Sequence, residues 1–276
     1  MSDPVDQPTD ARARLLSHFE AKDTAAHPEA WDELWADGFI PWDKGFPSPA
    51  LADLLEQRKD LFPTTKERKK AFVPGCGKGY DVLLLSAWGY DAYGLDFSPT
   101  AIERAKELEK EVDGKGPHYE TQQGVTKGKV VWVTGDFFKD DFLEVVDGEN
   151  KFDLIYDYTF LSALNPSMRP AWSSRYNELL APTGKLICLE FPTYKPPSTG
   201  GPPWALPPKI YMAHLPRPGE KLLYEEDGDL LESKLGEPSN RSLTRIEHFQ
   251  PQRTHNVGYG EDGKVTDWIS VWSHKR

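Results

Sequence analysis

The stretch Val73-Pro-Gly-Cys-Gly-Lys-Gly79 decides the fold of this chain. A short apolar run at 70–73 leads into it, and a second run at 90–95 ends in Asp96. Glycine tolerates positive φ and lets a ligand approach the backbone closely. An acid about 20 residues after such a turn can bind the two hydroxyls of a ribose. The pattern therefore predicts half of a nucleotide-binding fold.

Helix and strand patterns alternate on the carboxyl side of this turn. The strands are predicted at 70–73, 90–95, 129–133, 152–156 and 185–191, and the helices between them at 80–88, 99–112 and 166–180. Such alternation is typical of an α/β fold with a doubly wound, mostly parallel sheet of the Rossmann type. Two late strands, at 242–249 and 266–272, are expected to close the sheet edge as an antiparallel addition.

The amino-terminal part of the chain predicts a cap rather than more sheet. Residues 1–10 are polar and are expected to be disordered. Helices predicted at 11–20, 28–37 and 49–59 make up a helical cap over 11–60. No linker of low complexity separates two apolar halves, so one domain over residues 1–276 is predicted.

The block at 192–218 carries nine prolines. Proline has no N–H donor and a fixed φ, so no regular element is predicted there. The block also contains Trp204, Tyr211 and Met212, which a solvated spacer does not need. A lid or pocket wall is therefore the favoured interpretation.

Composition narrows the classes of partner. The formal net charge is -11 and the pI is about 5.2, which argues against nucleic acids and anionic membranes as partners. No apolar run reaches the ~20 residues of a membrane span, and residues 1–10 resemble neither a signal nor a transit peptide. The two cysteines, Cys76 and Cys188, imply no disulfide framework and favour a reducing, cytoplasmic location. The oligomeric state stays open, and a monomer is compatible with the sequence.

Three features favour S-adenosylmethionine over a dinucleotide. The glycine spacing is G-x-G-x-G, whereas a pyrophosphate site prefers G-x-G-x-x-G. The third strand runs into Asp136, whose carboxylate can accept from an adenine amino group while the next backbone N–H serves a ring nitrogen and Phe137 packs on the ring. The last strands form a hairpin rather than another β-α-β unit. Three alternatives stay open: an ordinary tight turn at the glycines, a helix cap at Asp136, and a dehydrogenase.

Several motifs spread over most of the chain are much more specific than the glycine turn. They are Trp31-Asp-Glu-Leu-Trp35, Ile40-Pro-Trp-Asp-Lys-Gly45, Val73-Pro-Gly-Cys-Gly-Lys-Gly79, Gly94-Leu-Asp-Phe-Ser98, Gly135-Asp-Phe-Phe138, Phe152-Asp-Leu-Ile-Tyr-Asp-Tyr-Thr159, Arg169-Pro-Ala-Trp172, Leu179-Leu-Ala-Pro-Thr-Gly184, Arg253-Thr-His255 and Asp267-Trp-Ile-Ser-Val-Trp272. By these motifs the chain resembles the thiopurine S-methyltransferase family, and within it the plant and fungal thiol and halide methyltransferases.

The resemblance implies a class I methyltransferase fold and a set of residues around S-adenosylmethionine. Indoles of the cap line the site, the glycine turn holds the methionine part, and acids after two strands hold the ribose and the adenine. The implied set is Trp31, Trp35, Trp42, Gly75, Cys76, Gly77, Asp96, Phe97, Asp136, Phe137, Asp157 and Tyr158. The chain has Tyr158 where the thiopurine enzymes carry an arginine, which argues against a thiopurine as substrate.

Methyl transfer from a sulfonium is an in-line displacement that needs alignment and exclusion of water. Indole faces suit the sulfonium, although the same indoles could serve only as a hydrophobic staple between cap and core. A free thiol is ionised to about a few per cent at neutral pH, so a strong base is optional. Tyr158 is the leading catalytic candidate, followed by Asp157 and His214. His214 is expected to be a surface residue and His255 a satisfied structural one, and the histidines and cysteines show no metal-ligand spacing.

The sequence therefore predicts an S-adenosylmethionine-dependent S-methyltransferase. Its acceptor is a small thiol or a soft anion such as hydrosulfide, halide or thiocyanate. Two alternatives remain at this stage: an O- or N-methyltransferase of a secondary metabolite, and a non-catalytic cofactor-binding protein.

Overall fold

The computed structural model describes residues 7–63, 67–112 and 118–275. Within these residues the α-helices are α1 (Gln7–Glu20), α2 (His27–Ala36), α3 (Pro49–Gln57), α4 (Tyr80–Ala87), α5 (Pro99–Val112), α6 (Phe160–Ala163), α7 (Arg169–Leu179) and α8 (Pro208–His214). The strands are β1 (Lys69–Pro74), β2 (Tyr90–Asp96), β3 (Val130–Thr134), β4 (Phe152–Tyr158), β5 (Leu180–Glu190), β6 (Leu243–Phe249) and β7 (Trp268–His274). None of the described helices combines the length and apolar character needed to cross a bilayer.

The seven strands form one sheet in the order β3-β2-β1-β4-β5-β7-β6. The first five are parallel to one another, whereas β7 runs antiparallel to β5 and to β6. The predicted doubly wound sheet with a late antiparallel addition is confirmed. Because β7 lies next to β5, its beginning comes to the same edge as the carboxyl ends of the parallel strands.

Two cores cover the two faces of this sheet. One face packs against α3 and α4 through Leu154, Leu189 and Val271. The other packs against α7 and α8 through Ile155, Cys188 and other buried side chains. Side chains alternate between faces along a strand. Odd-numbered and even-numbered residues of one strand therefore point to opposite faces of the sheet.

The predicted disorder at 1–10 is wrong for part of that segment. The first helix begins at Gln7 and includes residues 7–10, and residues 1–6 lie outside the described residues. Helix α1 packs on α2 in a small cluster with Leu15, Phe19 and Leu34. The apolar side chains of α1 and α2 thus form a cluster of their own, whereas α3 belongs to the core on one face of the sheet.

The proline-rich block is not free of regular structure, because α8 lies inside it. The prediction failed since Pro207 and Pro208 stand just before and at the start of α8, where a missing N–H costs nothing. Elsewhere the block has many carbonyls and few N–H donors, and buried cations supply the donors instead. Lys195 Nζ donates to the carbonyls of Gly200 and Pro203, both at 2.5 Å.

Candidate active site

The glycine turn follows β1 and leans on the end of β2. Gly75 and Gly77 adopt φ of 58° and 53°, a region that other residues avoid. The backbone N–H of Cys76 donates to the carbonyl of Leu95 at 3.0 Å, and that of Gly77 donates to Asp96 Oδ2 at 2.9 Å. The turn is therefore fixed directly against the acid that the sequence assigns to a ribose.

Asp96 is held as an acceptor at the end of β2. Its other oxygen, Oδ1, accepts from the backbone N–H of Ser98 at 3.0 Å. Burial raises the pKa of Asp96 to about 6, against the lowering effect of these N–H donors. Each carboxylate oxygen has a second lone pair, so both oxygens keep capacity for a diol.

One indole of the cap, that of Trp35, lies against the glycine turn, and the other two form a cluster with it. A Cβ on Gly77 would come within 3.3 Å of the Trp35 ring. Trp42 contacts both other indoles edge-on, with ring centroids 5.8 Å from Trp35 and 5.0 Å from Trp31. The structure thus brings the three predicted tryptophans together beside the turn.

Two polar links fasten the cap to the sheet at this point. Asp43, which follows Trp42, makes an ion pair with Lys78 of the glycine turn. Asp32, which follows Trp31, accepts from Ser98 Oγ at 2.5 Å, and the same Oγ caps α5 by accepting from the N–H of Ala101. Each link joins a residue beside a tryptophan to a residue beside the predicted cofactor contacts.

Two aromatic residues that the sequence did not single out also touch the glycines. A Cβ on Gly75 would stand 2.5 Å from the Phe160 ring, and one on Gly94 would stand 2.7 Å from the ring of Trp132. No sequence signal identified either side chain, because both contacts depend on tertiary packing. The glycines are therefore required by neighbouring rings as well as by any ligand.

Tyr158 ends β4 at the carboxyl edge. The next residue, Thr159, has φ of 65°, a strained value for a side chain branched at Cβ, and such strain is concentrated at functional sites. The Tyr158 hydroxyl is buried and has no hydrogen-bond partner among the described residues. Burial raises the pKa of Tyr158 well above its usual value, and Asp267 and Asp81 raise it further, so the hydroxyl stays protonated.

His255 stacks on Tyr158 with ring centroids 5.7 Å apart and planes inclined by 9°. The prediction that His255 is a satisfied structural residue is wrong, because its Nδ1 is buried without a described partner. Burial, together with the charge of Lys44, lowers the pKa of His255 to about 4, so the imidazole is neutral at pH 7.

The structure removes two of the three candidates for orienting the acceptor. The Asp157 carboxylate points to the α7 face, where it accepts from Trp172 Nε1 at 2.9 Å, Tyr176 Oη at 2.7 Å and the N–H of Leu161 at 3.2 Å. The prediction that this carboxylate serves the site is wrong, because alternation along β4 turns it away from Tyr158.

The prediction that His214 is a surface residue is also wrong. It is fully buried in α8, not exposed, and its Nε2 lies 2.6 Å from the Tyr224 hydroxyl. Burial lowers the pKa of His214 to about 3. His214 belongs to the core beside α7 and takes no part in the acceptor site.

The adenine side of the predicted site is less complete. Asp136 Oδ1 accepts from the N–H of Phe138 at 2.9 Å, which is the local turn expected of such a residue, and Phe97 is half-buried beside Asp96. The Phe137 ring is buried against Phe160 and Tyr176. Stacking of that ring on an adenine is therefore unavailable, because the core already uses it.

These residues fit S-adenosylmethionine. An acid with spare lone pairs ends β2, a positive-φ glycine turn lies beside it, and the Trp35 indole contacts the turn. A buried, unpartnered Tyr158 hydroxyl lies at the same edge of the sheet. Across residues 7–63, 67–112 and 118–275, no group of three His, Cys, Asp or Glu is arranged to hold a metal ion.

Residues 26–253 match the model of the thiopurine S-methyltransferase family. The chain is 37% identical over 174 residues to "Probable thiol methyltransferase 2" of Arabidopsis thaliana, an alignment covering 63% of this chain and 66% of that protein. It is 35% identical over 181 residues to thiocyanate methyltransferase 1 of Brassica oleracea, covering 66% and 69%. The chain thus spans about two thirds of the length of these relatives.

Among solved structures, the N-methyltransferase NodS from Bradyrhizobium japonicum with bound S-adenosylhomocysteine superposes with a TM-score of 0.52. The two chains share 15% identity, and the superposition covers 91% of this chain and 99% of that one. The likeness supports the fold alone, and the predicted class I methyltransferase fold is confirmed.

Proposed function

The chain belongs to the thiopurine S-methyltransferase family, and from that premise we propose that it transfers a methyl group from S-adenosylmethionine to a small sulfur or other soft nucleophile. The acceptor class covers thiols, hydrosulfide, halides and thiocyanate. The observation that carries the proposal is a cluster of three indoles, of which Trp35 contacts a glycine turn that is hydrogen-bonded to Asp96.

Each part of the cofactor has a matching group in the chain. Asp96 holds the ribose hydroxyls, and the glycine turn, with Gly75, Cys76 and Gly77, holds the methionine part. Asp136 and the backbone of Phe137 hold the adenine. When bound, the cofactor supplies an electrophilic methyl group on a positively charged sulfur.

The chain's own contribution is binding, orientation and exclusion of water. Trp31, Trp35 and Trp42 offer ring faces to a cation, worth roughly 0.5–2 kcal/mol for each well-placed contact. The Asp43–Lys78 ion pair holds this cover on the glycine turn. Tyr158 keeps its proton and can donate it in a hydrogen bond to the acceptor sulfur. Removal of water from that sulfur raises its reactivity.

The proposal also includes the domain organisation of the chain and its location in the cell. The whole chain acts as one methyltransferase domain in the cytoplasm, with the cap over 11–60 and the block at 192–218 as a lid or wall. The net charge of -11 supports a small-molecule partner rather than nucleic acid, and the free thiols of Cys76 and Cys188 suit a reducing compartment.

Calorimetric titration with S-adenosylhomocysteine tests the proposal first. We expect one site per chain, and Trp35→Leu is expected to weaken binding several-fold through loss of the indole face. A panel of thiols, thiocyanate, iodide, phenols and amines with labelled cofactor then identifies the acceptor class. Absence of binding, or methylation of phenols and amines alone, would contradict the proposal.

A further inference from the structure

The beginning of β7 brings a carboxylate to the edge of the sheet where β4 ends. Tyr158 pairs with Leu189 across β4 and β5, and Glu190 pairs with Trp268 across β5 and β7. Asp267, which immediately precedes Trp268, therefore lies two strands from Tyr158 and is offset by two residues along the strand, at a backbone separation of about 12 Å.

Both side chains point to the same face. Leu154 and Tyr156 share the parity of Tyr158 and are buried on the α3–α4 face. Ile269 and Val271 share the parity of Asp267 and are buried on that face as well. Alternation along the strands therefore directs Asp267 and Tyr158 into one space beneath the cap.

A short chain of contacts connects the two residues through the segment before β7. Thr254 Oγ1 donates to Asp267 Oδ2 at 2.5 Å, and the next residue, His255, stacks on Tyr158. Phe46 of the cap segment contacts the His255 ring with centroids 4.7 Å apart. The cluster is thus closed over by the segment that carries Trp42.

Three atoms in this cluster have no hydrogen-bond partner among the described residues. They are the hydroxyl of Tyr158, Nδ1 of His255 and Oδ1 of Asp267, and each is buried. A buried polar atom left unpaired costs about 1–3 kcal/mol. A molecule that supplied both a proton and an acceptor atom here would relieve this cost.

The charges around the cluster favour an uncharged acceptor molecule. Asp267 and Asp81 both act on Tyr158 and raise its pKa, which marks a negative potential beside the hydroxyl. Lys44 is the cation that acts on Asp267, and its own pKa is lowered by burial. A preformed anion has to enter against two carboxylates, whereas an uncharged thiol does not.

Resting on the proposed S-methyltransferase function, we propose that Asp267 is the general base of the reaction and that the acceptor is a neutral thiol. Asp267 Oδ1 takes the proton of the thiol. The S–H bond breaks and its electron pair stays on the acceptor sulfur. That sulfur forms a bond to the methyl carbon while the bond from the methyl to the donor sulfur breaks and returns its pair to the donor. The proton then leaves Asp267 to water, so atoms and charge balance.

The neighbouring groups are less suited to this role. Tyr158 holds its proton too tightly to act as a base and serves as a donor to the sulfur. Burial raises the pKa of Asp81 to about 7, but its Oδ1 accepts from the N–H of Ser48 at 2.7 Å, and Asp267 is the acid that keeps a buried oxygen without a described partner. His255 is a weak base, since its pKa is lowered to about 4, whereas burial raises that of Asp267 to about 6 and closer to neutrality.

The test compares an acceptor that carries a proton with one that does not. Asp267→Asn keeps the size of the side chain and an oxygen for Thr254. At pH 7 we expect kcat/KM for phenylmethanethiol, an alkanethiol that keeps its proton at this pH, to fall by about 100-fold or more, in the range of general-base catalysis. We expect kcat/KM for thiocyanate, which has no proton to lose, not to fall, because the substitution removes a carboxylate that opposes the entry of an anion. Wild-type activity on thiols without activity on thiocyanate also supports a neutral acceptor.

Two further measurements separate a base from a structural residue. With S-adenosylhomocysteine bound, and below the pKa of thiophenol in water, the wild type is expected to show the thiolate absorption band of bound thiophenol, and Asp267→Asn to lack it. Glu261→Gln, an exposed acid-to-amide change in the same segment, serves as the matched control. If Asp267→Asn fails to fold, Thr254→Val replaces it, and loss of that donor is expected to move the acidic limb of the thiol rate to higher pH.

Several outcomes overturn the inference while leaving the family function intact. An equal loss on phenylmethanethiol and thiocyanate, an unchanged thiol rate, or a selective thiol loss in His255→Gln but not in Asp267→Asn would each do so. Failure of the wild type to bind S-adenosylhomocysteine, or to methylate any soft nucleophile, would instead contradict the proposed function.

Discussion

Two buried carboxylates lie at the same edge of the sheet, one at the end of β4 and one just before β7, but on opposite faces. Asp157 on the α7 face accepts three hydrogen bonds from Trp172, Tyr176 and Leu161. Asp267 on the α3–α4 face accepts one from Thr254 and keeps a buried oxygen without a described partner. The first group has its hydrogen bonds satisfied within the fold, whereas the second retains capacity for a ligand.

The difference shows that, at one edge of the sheet, the carboxylate on one face stabilises the fold while the carboxylate on the other face keeps an oxygen for a ligand. On the α7 face, the Asp157 carboxylate is satisfied by indole, phenol and backbone N–H donors, although Arg169 Nε and His214 Nδ1 on that side have no described partner. On the other face, unpaired atoms of Tyr158, His255 and Asp267 collect beneath an aromatic cover. A polar network that is complete stabilises a protein, and one left open is costly unless a ligand completes it.

The largest expected effect is on the free energy of unfolding, when Asp157 on the α7 face is replaced. Asp157→Ala leaves three buried donors unpaired at about 1–3 kcal/mol each, so we expect the free energy of unfolding to fall by about 3 kcal/mol or more. Asp267→Ala removes one hydrogen bond and is expected to cost about 1 kcal/mol. Urea unfolding of both variants measures the contrast. Equal losses would mean that the two carboxylates play the same structural part.

Asp96→Ala tests the assignment of the ribose to Asp96. Two hydrogen bonds to a charged acceptor are worth about 1.5–3 kcal/mol each, so we expect the dissociation constant for S-adenosylhomocysteine to rise tenfold or more. Calorimetry measures it, with the exposed Glu226→Ala as control. An unchanged constant would place the ribose elsewhere.

The acidic limb of the rate distinguishes the two acceptor types. Asp267 is active as a base only when ionised, and its pKa is raised to about 6 by burial, with Thr254 and Lys44 opposing the rise; Tyr156 and Tyr158 face it from β4. The ratio of thiol to thiocyanate kcat/KM is therefore expected to fall by about tenfold between pH 7 and pH 5. Asp96 also has a pKa of about 6, but its protonation weakens cofactor binding for both acceptors and leaves the ratio unchanged. A ratio that is flat with pH would argue against Asp267.

The smallest effect is expected from Tyr158→Phe. Its hydroxyl has no described partner, so its removal is expected to leave the free energy of unfolding within about 0.5 kcal/mol of the wild type. Loss of one donor to the sulfur is expected to lower turnover several-fold. Full turnover in the variant would remove Tyr158 from the reaction.

Much of this arrangement could be predicted from local sequence. The glycine turn, the acid at the end of β2 and the alternation of strands and helices are short-range patterns, and all appear where expected. In the structure, Trp35 of the cap motif contacts Gly77 of the glycine turn and Trp42 packs against Trp35. The start of α8 was missed, because prolines at a helix start look like prolines in a loop.

The set of residues that meet on the α3–α4 face at this edge could not be predicted from local sequence. Asp157 and Tyr158 are adjacent in sequence, and only the register of β4 tells that they point to opposite faces. Asp267 is more than 100 residues from Tyr158, and the antiparallel pairing of β7 with β5 brings it close. Phe160 and Trp132 meet the glycines through tertiary packing alone.

A crystal structure of the chain with S-adenosylhomocysteine is the most direct test of where the chemistry occurs. We expect the ribose at Asp96 and the sulfur beneath Trp35 and Trp42, facing the space between Tyr158 and Asp267. A sulfur on the Asp157 side of the sheet, or a ligand away from the glycine turn, would contradict the account.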